Sequence, residues 1–335
     1  MLNGPPRITP STPHHPADPH HHTEVRIVNS APEIIVIGEA LTDIVQTDAG
    51  TAEFAGGSPM NVAIGLARLG HGVQLVTRIG SDARGAEIRR HVEESGARIY
   101  PGSVIDEPQS TARAVLDATG AASYEFDIRW SLDFVNTLPE VRVLHTGSIA
   151  AFLAPGAADV RRLLAAAGPQ TIVTFDPNIR PTLLESPEVT RPVVEDLAGL
   201  AGIVKLSDED AEWLYGDLSL NEVADRLLSL GPALVIITRG GDGAILATDR
   251  ERVIEPGVSV DVADTIGAGD SFMSALIHHV AGMIIDGTSP AAIREGSAFD
   301  RVQLQRLGAF AAACAAITVS REGANPPTLA ELLPA

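Results

Sequence analysis

From Glu33 onward, short runs of β-branched or apolar residues alternate with longer amphipathic stretches. This alternation is typical of βαβ units, in which parallel strands form a sheet and the connecting helices cover its faces. The sequence therefore predicts an α/β fold with a mostly parallel central sheet flanked by helices. The predicted strands are Ile34–Ile37, Val73–Ile79, Val141–His145, Thr171–Phe175, Gly202–Leu206, Ala233–Thr238 and Ala244–Ala247. The predicted helices are Pro59–Leu69, Ala83–Ser95, Ala157–Ala166, Asp208–Tyr215, Leu220–Ser229, Ser271–Ile285 and Gln303–Ile317.

Two segments interrupt the alternation: Leu41–Phe54, and Thr111–Asp117 with Ser123–Asp127 around the turn Thr119-Gly120. Their period-two patterning predicts antiparallel strands. We therefore expect a small β-sheet lid, built from about residues 41–54 and 110–130, within a domain that spans residues 33–335. Residues 1–32 are rich in Pro and His and lack apolar periodicity, so they are predicted to form a disordered tail.

Composition narrows the class of protein. Hydrophobic residues make up 45% of the chain and aromatic residues 4%, which predicts a sizeable, largely aliphatic core. The net charge of −19 argues against a nucleic-acid or anionic-membrane partner, because both require a basic surface. A single cysteine, Cys314, excludes an intrachain disulfide and fits a reducing, cytoplasmic location. No apolar run approaches the ~20 residues that a membrane span needs.

Residues 264–272 read Asp-Thr-Ile-Gly-Ala-Gly-Asp-Ser-Phe and precede a long apolar helix. Gly267, Ala268 and Gly269 have almost no side chain, so their backbone N–H groups can approach a phosphate, and the helix adds roughly half a positive charge. One such donor to a transferring phosphoryl group is worth on the order of 10²–10³ in rate. Asp270, where loop meets helix, can take a proton from an attacking hydroxyl, a role worth about 10²–10⁴. The alternative to a catalytic role is that Asp270 is only the N-cap of the helix, preceded by a glycine-rich turn.

The same nine residues resemble the C-terminal signature of the ribokinase-like (PfkB) carbohydrate kinase family. The family's second signature is similar to residues 56–63, Gly-Gly-Ser-Pro-Met-Asn-Val-Ala, which continue into Gly-Leu-Ala-Arg-Leu-Gly at 65–70. Two signatures in the family's order and at its distance are far more specific than either alone. The resemblance covers about residues 33–330 and is closest to the fructokinase branch. It also takes in residues 38–43, 176–180, 205–210, 238–243 and 321–324.

The resemblance implies a ribokinase-like α/β domain with a small β-sheet lid. It implies an ATP-dependent sugar kinase that transfers the γ-phosphate of ATP to a hydroxymethyl group of a small sugar, with Mg²⁺ as cofactor. Asp270 would be the base, and the amides of Gly267, Ala268 and Gly269 would hold the phosphate charge. A homodimer formed through the lid is a further expectation.

Sugar contacts follow from the same resemblance. Asp43 comes after the first predicted strand, where an acid commonly contacts ligand in open α/β sheets, and it would hold sugar hydroxyls. Gly57 would let the backbone approach the sugar, and Asn61 can both donate to it and accept from it. Arg180 would lie beside the sugar and phosphate and could clamp a phosphate or carboxylate oxygen. The alternatives are that Asp43 is only a solvated loop acid, that Gly57 and Asn61 form a plain turn and helix start, and that Arg180 closes a surface ion pair.

Nucleotide and metal contacts are implied for a second group of residues. Where the family usually has Asn-x-x-Glu, which orders Mg²⁺-bound water and phosphate, this chain has Ser207 and Asp210. Asp210 keeps the charge with one methylene less reach, so it would bind Mg²⁺ through water, while Lys205 and Ser207 would contact the nucleotide. The Lys-x-Ser-Asp-Glu form resembles the fructokinase branch.

The glycine-rich turn at 238–243 follows a predicted strand and, by resemblance, contacts the ribose and phosphates of ATP through Thr238, Gly240 and Gly243. Asp264, with neighbouring backbone carbonyls, stands where some relatives hold a potassium ion. Near the C-terminus, where many relatives carry Asn or His beside adenine, this chain has Ala311-Ala312-Ala313-Cys314, so adenine contacts are expected to come from packing and backbone.

Three other readings compete. A serine hydrolase is suggested by Gly269-Asp270-Ser271, but no downstream Asp-x-x-His supplies its base. A P-loop kinase would need GxxxxGK[ST], which is absent. A non-catalytic sugar-binding protein on the kinase fold would be signalled by loss of Asp270 or its glycines. Among sugars, fructose is favoured, 2-keto-3-deoxygluconate is second and ribose third.

Overall fold

A nine-stranded sheet lies at the centre of the large domain in the computed structural model, which describes Met1 and residues 33–47, 50–116 and 122–332. In spatial order its strands are Arg252–Glu255 (β15), Ala244–Ala247 (β14), Leu234–Thr238 (β13), Ile203–Ser207 (β12), Ile172–Asp176 (β11), Val143–Gly147 (β10), Ile34–Ile37 (β1), Val73–Val76 (β4) and Arg98–Ile99 (β6). Every pairing from β13 to β6 is parallel, and β14 and β15 add antiparallel strands at one edge. The predicted mostly parallel sheet is confirmed. The tail prediction for residues 1–32 lies, Met1 aside, outside the described residues.

A second, four-stranded sheet has the order Gly50–Gly56 (β3), Leu41–Thr47 (β2), Thr111–Leu116 (β8) and Ala122–Asp127 (β9). Each hairpin is antiparallel, as predicted, and β2 pairs with β8 in parallel, a pairing between the two segments that the sequence pattern does not specify. The cause lies at the strand starts. The Gln109 amide donates to the Ala40 carbonyl at 2.8 Å, and the Thr42 N–H donates to the Ser110 carbonyl at 2.9 Å. The two strands therefore begin side by side and run the same way. The predicted turn Thr119-Gly120 lies outside the described residues.

Helices cover both faces of the large sheet, and a two-stranded ribbon of Ile79–Gly80 (β5) and Val104–Ile105 (β7) completes the fold. The helices are Ser58–Arg68 (α1), Ala83–Glu94 (α2), Gly156–Ala165 (α3), Pro187–Leu200 (α4), Asp208–Tyr215 (α5), Leu220–Leu228 (α6), Ala268–Ile285 (α7), Pro290–Arg294 (α8), Arg301–Val319 (α9) and Leu329–Leu332 (α10). Alternate side chains of a strand point to opposite faces. Accordingly Ile34 and Val36 belong to one buried cluster, with α1, α7 and α9, whereas Ile35 and Ile37 belong to the other, with α3 to α6. The sheet is thus buried on both faces.

Helix α7 begins three residues earlier than the sequence predicts. Its N-cap is Gly267, whose φ of +77° is in the left-handed region that glycine tolerates. A Cβ on Gly267 would come within 2.6 Å of the Ala324 Cβ, so a larger residue does not fit this approach. Ala268 and Gly269 therefore belong to the first turn and are not loop residues. Asp270 is the third residue of the helix, and it is neither at the junction nor the N-cap.

One helix among the described residues, Arg301–Val319, is long and apolar enough by length and composition to cross a membrane, with 44% of its apolar window buried inside the protein. The sequence analysis predicted a helix here, at Gln303–Ile317, but did not count it as a possible span, because Gln303, Gln305 and Arg306 interrupt its apolar run. Its buried side chains, among them Leu304, Leu307 and Ala311, belong to the same hydrophobic cluster as those of α7. This contact with the core accounts for its apolar character.

Candidate active site

The candidate site lies along one edge of the large sheet, where the parallel strands β1, β10, β11, β12 and β13 end. Gly38 and Glu39 follow β1, Gly147 ends β10, Asp176 ends β11 and Ser207 ends β12. In open α/β sheets ligands bind in the crevice outside the carboxyl ends of the strands. The topology therefore brings together side chains that are far apart in the sequence.

The Asp270 carboxylate is held by two donors from helix α1. The Ser58 hydroxyl donates to Oδ1 at 2.6 Å and the Asn61 amide donates to Oδ2 at 2.8 Å. All three side chains are buried, each 8% exposed. The two motifs that the sequence analysis paired are thus in direct contact. The candidate base, Asp270, forms a hydrogen bond with Asn61, a candidate sugar-binding residue. Ser58 was not singled out in the sequence, although it lies inside the 56–63 motif.

The first turn of α7 presents backbone donors beside a buried cation. The N–H groups of the first helical turn have no acceptor within the helix, although the Ala268 N–H makes a long contact of 3.4 Å with the Thr265 carbonyl, so this end of the helix can bind an anion. A Cβ on Gly269 would meet the Lys205 Nζ at 3.0 Å, which means that the ammonium lies directly against this turn. Gly267, Ala268 and Gly269 therefore form a small-residue surface with a positive charge beneath it, as phosphate binding requires.

Lys205 is paired with Asp176 inside the protein. Its Nζ donates to the Asp176 Oδ2 at 2.9 Å, and both side chains are buried. Burial acts to lower the pKa of Lys205, but the carboxylates of Asp176, Asp210 and Asp270 outweigh it and hold this pKa above its usual range. Burial raises the pKa of Asp176 to about 6 against the effect of Lys205. The neighbouring carboxylates thus favour the charged form of Lys205. The Asp176 Oδ1 has no hydrogen-bond partner among the described residues.

Ser207 and Asp210 form a capping box at the start of α5. The Asp210 N–H donates to the Ser207 hydroxyl at 3.0 Å, and the Asp210 Oδ2 accepts the Ser207 N–H at 2.9 Å. The Asp210 Oδ1 accepts the Ile179 N–H at 2.8 Å, so this short acid also holds the turn after β11. Each oxygen keeps a further lone pair, and the described residues contain no group of three metal-ligating side chains. This donor set fits a Mg²⁺ ion held mainly by nucleotide oxygens and water, as Mg²⁺ usually is.

Asp43 lies in β2 of the four-stranded sheet, close enough to Arg180 for the two charges to interact. Burial raises the pKa of the Asp43 carboxyl to about 6, and the positive charge of Arg180 opposes this rise. A Cβ on Gly56 would collide with the Asp43 Oδ2, so this glycine leaves the space that the carboxylate occupies. The exposed Arg180 makes no ion pair closer than 4.0 Å with the described residues, and its guanidinium donates to the Ile179 carbonyl at 3.2 Å. Gly57, at φ +118°, approaches the Glu39 carbonyl too closely for any side chain.

Glu39 is a buried acid at this site that the sequence analysis quoted only as part of a motif. Its Oε2 accepts the Ala150 N–H at 3.1 Å, and the Ser148 hydroxyl also lies within hydrogen-bonding reach. Burial raises the pKa of Glu39 to about 7, while hydrogen bonds from Ser148 and Ala150 and the charge of Arg180 oppose the rise. Its position two residues after the buried strand β1 is the sequence signal that could have identified it. Asp43, which the sequence analysis placed at the end of that strand, lies instead inside β2, because the chain enters the second sheet at Leu41.

The turn after β13 is tight and glycine-dependent. Thr238 pairs in register with Ser207, so it lies on the next strand along the same edge. Gly240 and Gly243 both have positive φ, +51° and +86°, and the Arg239 N–H closes the turn on the Gly243 carbonyl at 2.7 Å. The described contacts do not join this turn to Asp270; it lies beside the Lys205 and Ser207 strand instead.

Asp264 links the segment before α7 to the turn after α9. Its Oδ1 accepts the Ile266 N–H at 3.0 Å and its Oδ2 accepts the Gly323 N–H at 3.0 Å. These two backbone hydrogen bonds lower the pKa of the Asp264 carboxyl. An ionised carboxylate with lone pairs to spare is chemically suited to a monovalent cation, but its present contacts already give it a structural use.

The rival reading as a serine hydrolase finds no support at the site. Ser271 is 2% exposed, and its hydroxyl has no hydrogen-bond partner among the described residues. Serine nucleophiles need an adjacent base within hydrogen-bonding reach. The histidines of α7, His278 and His279, contact His71 and Gln303 instead.

Fold and site together define a phosphotransferase: an α/β sheet edge with a small-residue helix N-terminus, a buried lysine and a carboxylate facing the same place. Comparison with known proteins agrees. The profile of the pfkB family of carbohydrate kinases matches residues 31–331, so the chain belongs to this family and is an ATP-dependent sugar kinase. Fructokinase-1 of Oryza sativa subsp. japonica is 31% identical over 322 residues, which cover 90% of this chain and 96% of that protein. A fructokinase of Rhizobium leguminosarum bv. trifolii is 32% identical over 258 residues, covering 73% of this chain and 78% of that protein.

Among solved structures, fructokinase with bound ATP from Xylella fastidiosa superposes with a TM-score of 0.76 at 27% identity. The match covers 89% of this chain and 96% of that one. The family and branch that the motifs predicted are thereby confirmed, as is the fold.

Proposed function

We propose that the protein phosphorylates a neutral sugar, most simply fructose, with Asp270 as the general base. The observation that carries this proposal is the position of Asp270 in the first turn of α7, buried next to Lys205 and to the backbone donors of residues 267–269. The sugar hydroxyl gives its proton to the Asp270 carboxylate while its oxygen forms a bond to the γ-phosphorus of ATP. The bond from phosphorus to the leaving oxygen breaks, and ADP departs with that electron pair.

The sugar would lie between the lid and the edge of the large sheet. Asp43 and Asn61 would form hydrogen bonds with its hydroxyls, and the backbone at Gly57 would contact it closely. Its terminal hydroxymethyl group would then face Asp270. The charges near Arg180 favour a neutral sugar. Arg180 is close enough to both Asp43 and Glu39 to influence their pKa values, so its positive charge is partly offset before any ligand arrives. Arg180 makes no ion pair with the described residues, but a sugar acid such as ketodeoxygluconate would have to bind it in the presence of these two acids, which a neutral sugar would not.

We expect fructose to be used with a higher kcat/KM than 2-keto-3-deoxygluconate or ribose in a coupled assay of ADP formation. Replacing Arg180 by Ala should raise KM for fructose only modestly, within about fivefold, because a neutral sugar does not need a fully desolvated ion pair. Arg161→Ala, which removes an exposed arginine remote from the site, serves as the matched control. A kcat/KM for the sugar acid well above that for fructose, lost in Arg180→Ala, would replace fructose by the acid and leave the kinase chemistry intact.

We also expect KM for the sugar to depend on pH through Asp43. Its pKa is raised to about 6, so the carboxylate accepts sugar hydroxyls above that pH and is protonated below it. KM should therefore be flat above neutrality and rise as the pH falls below 6, by at most about tenfold per unit. Asp43→Asn should have a high KM without this slope, and Glu39→Gln should retain the slope. An unchanged wild-type KM between pH 7.5 and 5 would contradict the role of Asp43.

The nucleotide would follow the neighbouring strands. Lys205 and the amides of residues 267–269 would hold the transferring phosphate. Ser207 would contact the nearby phosphates. The ribose would be contacted by Thr238, Gly240 and Gly243. Asp210 would contact Mg²⁺ through water, and Asp264 would serve a potassium ion. When bound, Mg²⁺ neutralises charge on the phosphate oxygens. The four-stranded sheet would close over the sugar and exclude water. A homodimer through this lid and a cytoplasmic location remain predictions.

A further inference from the structure

Both oxygens of the Asp270 carboxylate are already engaged in the ligand-free protein. The shorter of the two contacts is the 2.6 Å hydrogen bond from the Ser58 hydroxyl to Oδ1, between two buried side chains. A hydrogen bond to an ionised acceptor is stronger than one between neutral groups. The Ser58 hydroxyl therefore occupies one of the lone pairs through which Asp270 would take up a proton.

This contact is fixed by the packing of the two helices that carry it. Gly65 of α1 faces Ser274 of α7, and a Cβ on that glycine would come within 2.4 Å of the Ser274 hydroxyl. The same hydroxyl lies 3.1 Å from the Val62 carbonyl of α1 and 2.8 Å from the Asp270 carbonyl of α7. The helices are thus in close contact one turn beyond the carboxylate, and the Ser58 donor is held in place by this packing.

A sugar kinase has a competing reaction that this arrangement opposes. With ATP bound and the sugar absent, water can lie where the sugar hydroxyl would lie. Water would then give a proton to Asp270, its oxygen would bond to the γ-phosphorus, and ADP would leave with the electrons of the broken bond. An unencumbered carboxylate would assist this hydrolysis as readily as it assists transfer to sugar.

We propose that Ser58 is a positioning residue that restrains Asp270 in the sugar-free enzyme and so suppresses hydrolysis of ATP by water. The bound sugar, held by its other hydroxyls, places its reacting hydroxyl against Oδ1 and displaces the serine donor. Water has no such anchoring contacts and cannot compete as well. This inference rests on the proposed role of Asp270 as the base.

The test is the rate of ADP release from ATP in the absence of sugar. Ser58→Ala should raise this rate roughly tenfold, the equivalent of one charge-assisted hydrogen bond. Ser58→Thr, which keeps the hydroxyl, should restore a rate within about twofold of the wild type, and Ser58→Cys, a weak donor, should fall between them. If Ser58→Ala does not fold, the Cys and Thr pair gives the same comparison. With saturating sugar, kcat of Ser58→Ala should change less than the sugar-free rate.

Two outcomes would overturn the inference. The first is a sugar-free rate in Ser58→Ala equal to that of the wild type. The second is a raised rate that persists in Ser58→Ala/Asp270→Asn, since hydrolysis would then not pass through Asp270. Either result leaves the proposed function standing if Asp270→Asn alone has lost transfer to sugar. Full sugar turnover in Asp270→Asn would instead remove the proposed function.

Discussion

Asp270→Asn should lower kcat for sugar phosphorylation by at least ~10², while ATP binding stays within a few fold of the wild type. Asparagine has nearly the same shape but cannot take up the sugar proton. The surroundings accommodate it, because the Ser58 hydroxyl that donates to Oδ1 can rotate and accept from the new amide. The loss should therefore appear in kcat and leave the melting temperature little changed. Steady-state kinetics and nucleotide titration measure the two effects.

Asp286→Asn provides a matched control, since this exposed acid lies just beyond the other end of the same helix. It should behave as the wild type in both assays. Near-normal turnover in Asp270→Asn would remove Asp270 from the chemistry. A large fall in ATP affinity with unchanged kcat would give it a binding role instead.

Lys205→Met is expected to impair both stability and activity. The methionine keeps the length of the side chain, but it leaves Asp176 buried without its partner, and breaking a buried pair in this way costs about 3–5 kcal/mol. It also removes the cation next to Gly269, where loss of an electrostatic contact to the transferring phosphate is worth on the order of 10²–10³ in kcat. Thermal unfolding and steady-state kinetics measure these effects.

The double variant Lys205→Met/Asp176→Asn separates the two roles. Removing both charges should recover much of the stability, because no unpaired carboxylate is left in the interior. It should not recover kcat, since the cation is still missing. Recovery of turnover together with stability would mean that Lys205 only supports the fold. If Lys205→Met alone has the stability and kcat of the wild type, both roles are contradicted.

Helices and strands were predictable from the sequence where residue propensity and hydrophobic pattern indicated the same structure. Ile34–Ile37 is a buried strand as predicted, because a short run of β-branched residues has few other stable environments. Helix α4, Pro187–Leu200, is absent from the predicted helices, and it contains two prolines, Pro187 and Pro192, a residue type that disfavours the helix interior. Proline is well suited to the first turn, and burial of Val194 and Leu197 stabilises the rest of this helix despite Pro192. Tertiary packing, which local pattern does not contain, decides such cases.

In the candidate site, the sequence predicted individual residues better than the contacts between them. The motifs identified Asp270 and Asn61, but not the contact between them, which joins positions 209 residues apart. The ion pair of Lys205 with Asp176 depends on β11 and β12 being neighbours, so it follows from sheet order and not from either motif. The start of α7 was placed too late because the left-handed φ of Gly267, and not the aspartate, defines where the helix begins.

Strand β3 of the four-stranded sheet, the proposed lid, ends at Gly56, and helix α1 begins two residues later at Ser58. The edge of the lid and the helix that supplies both donors to Asp270 are therefore one continuous piece of chain. Exchange of lids between related kinases to alter sugar preference has to respect this continuity. A chimaera joined at residue 57 would combine one parent's sugar contacts with the other parent's restraint on the base. Residues 41–61 should consequently be exchanged as one segment, together with β8 and β9.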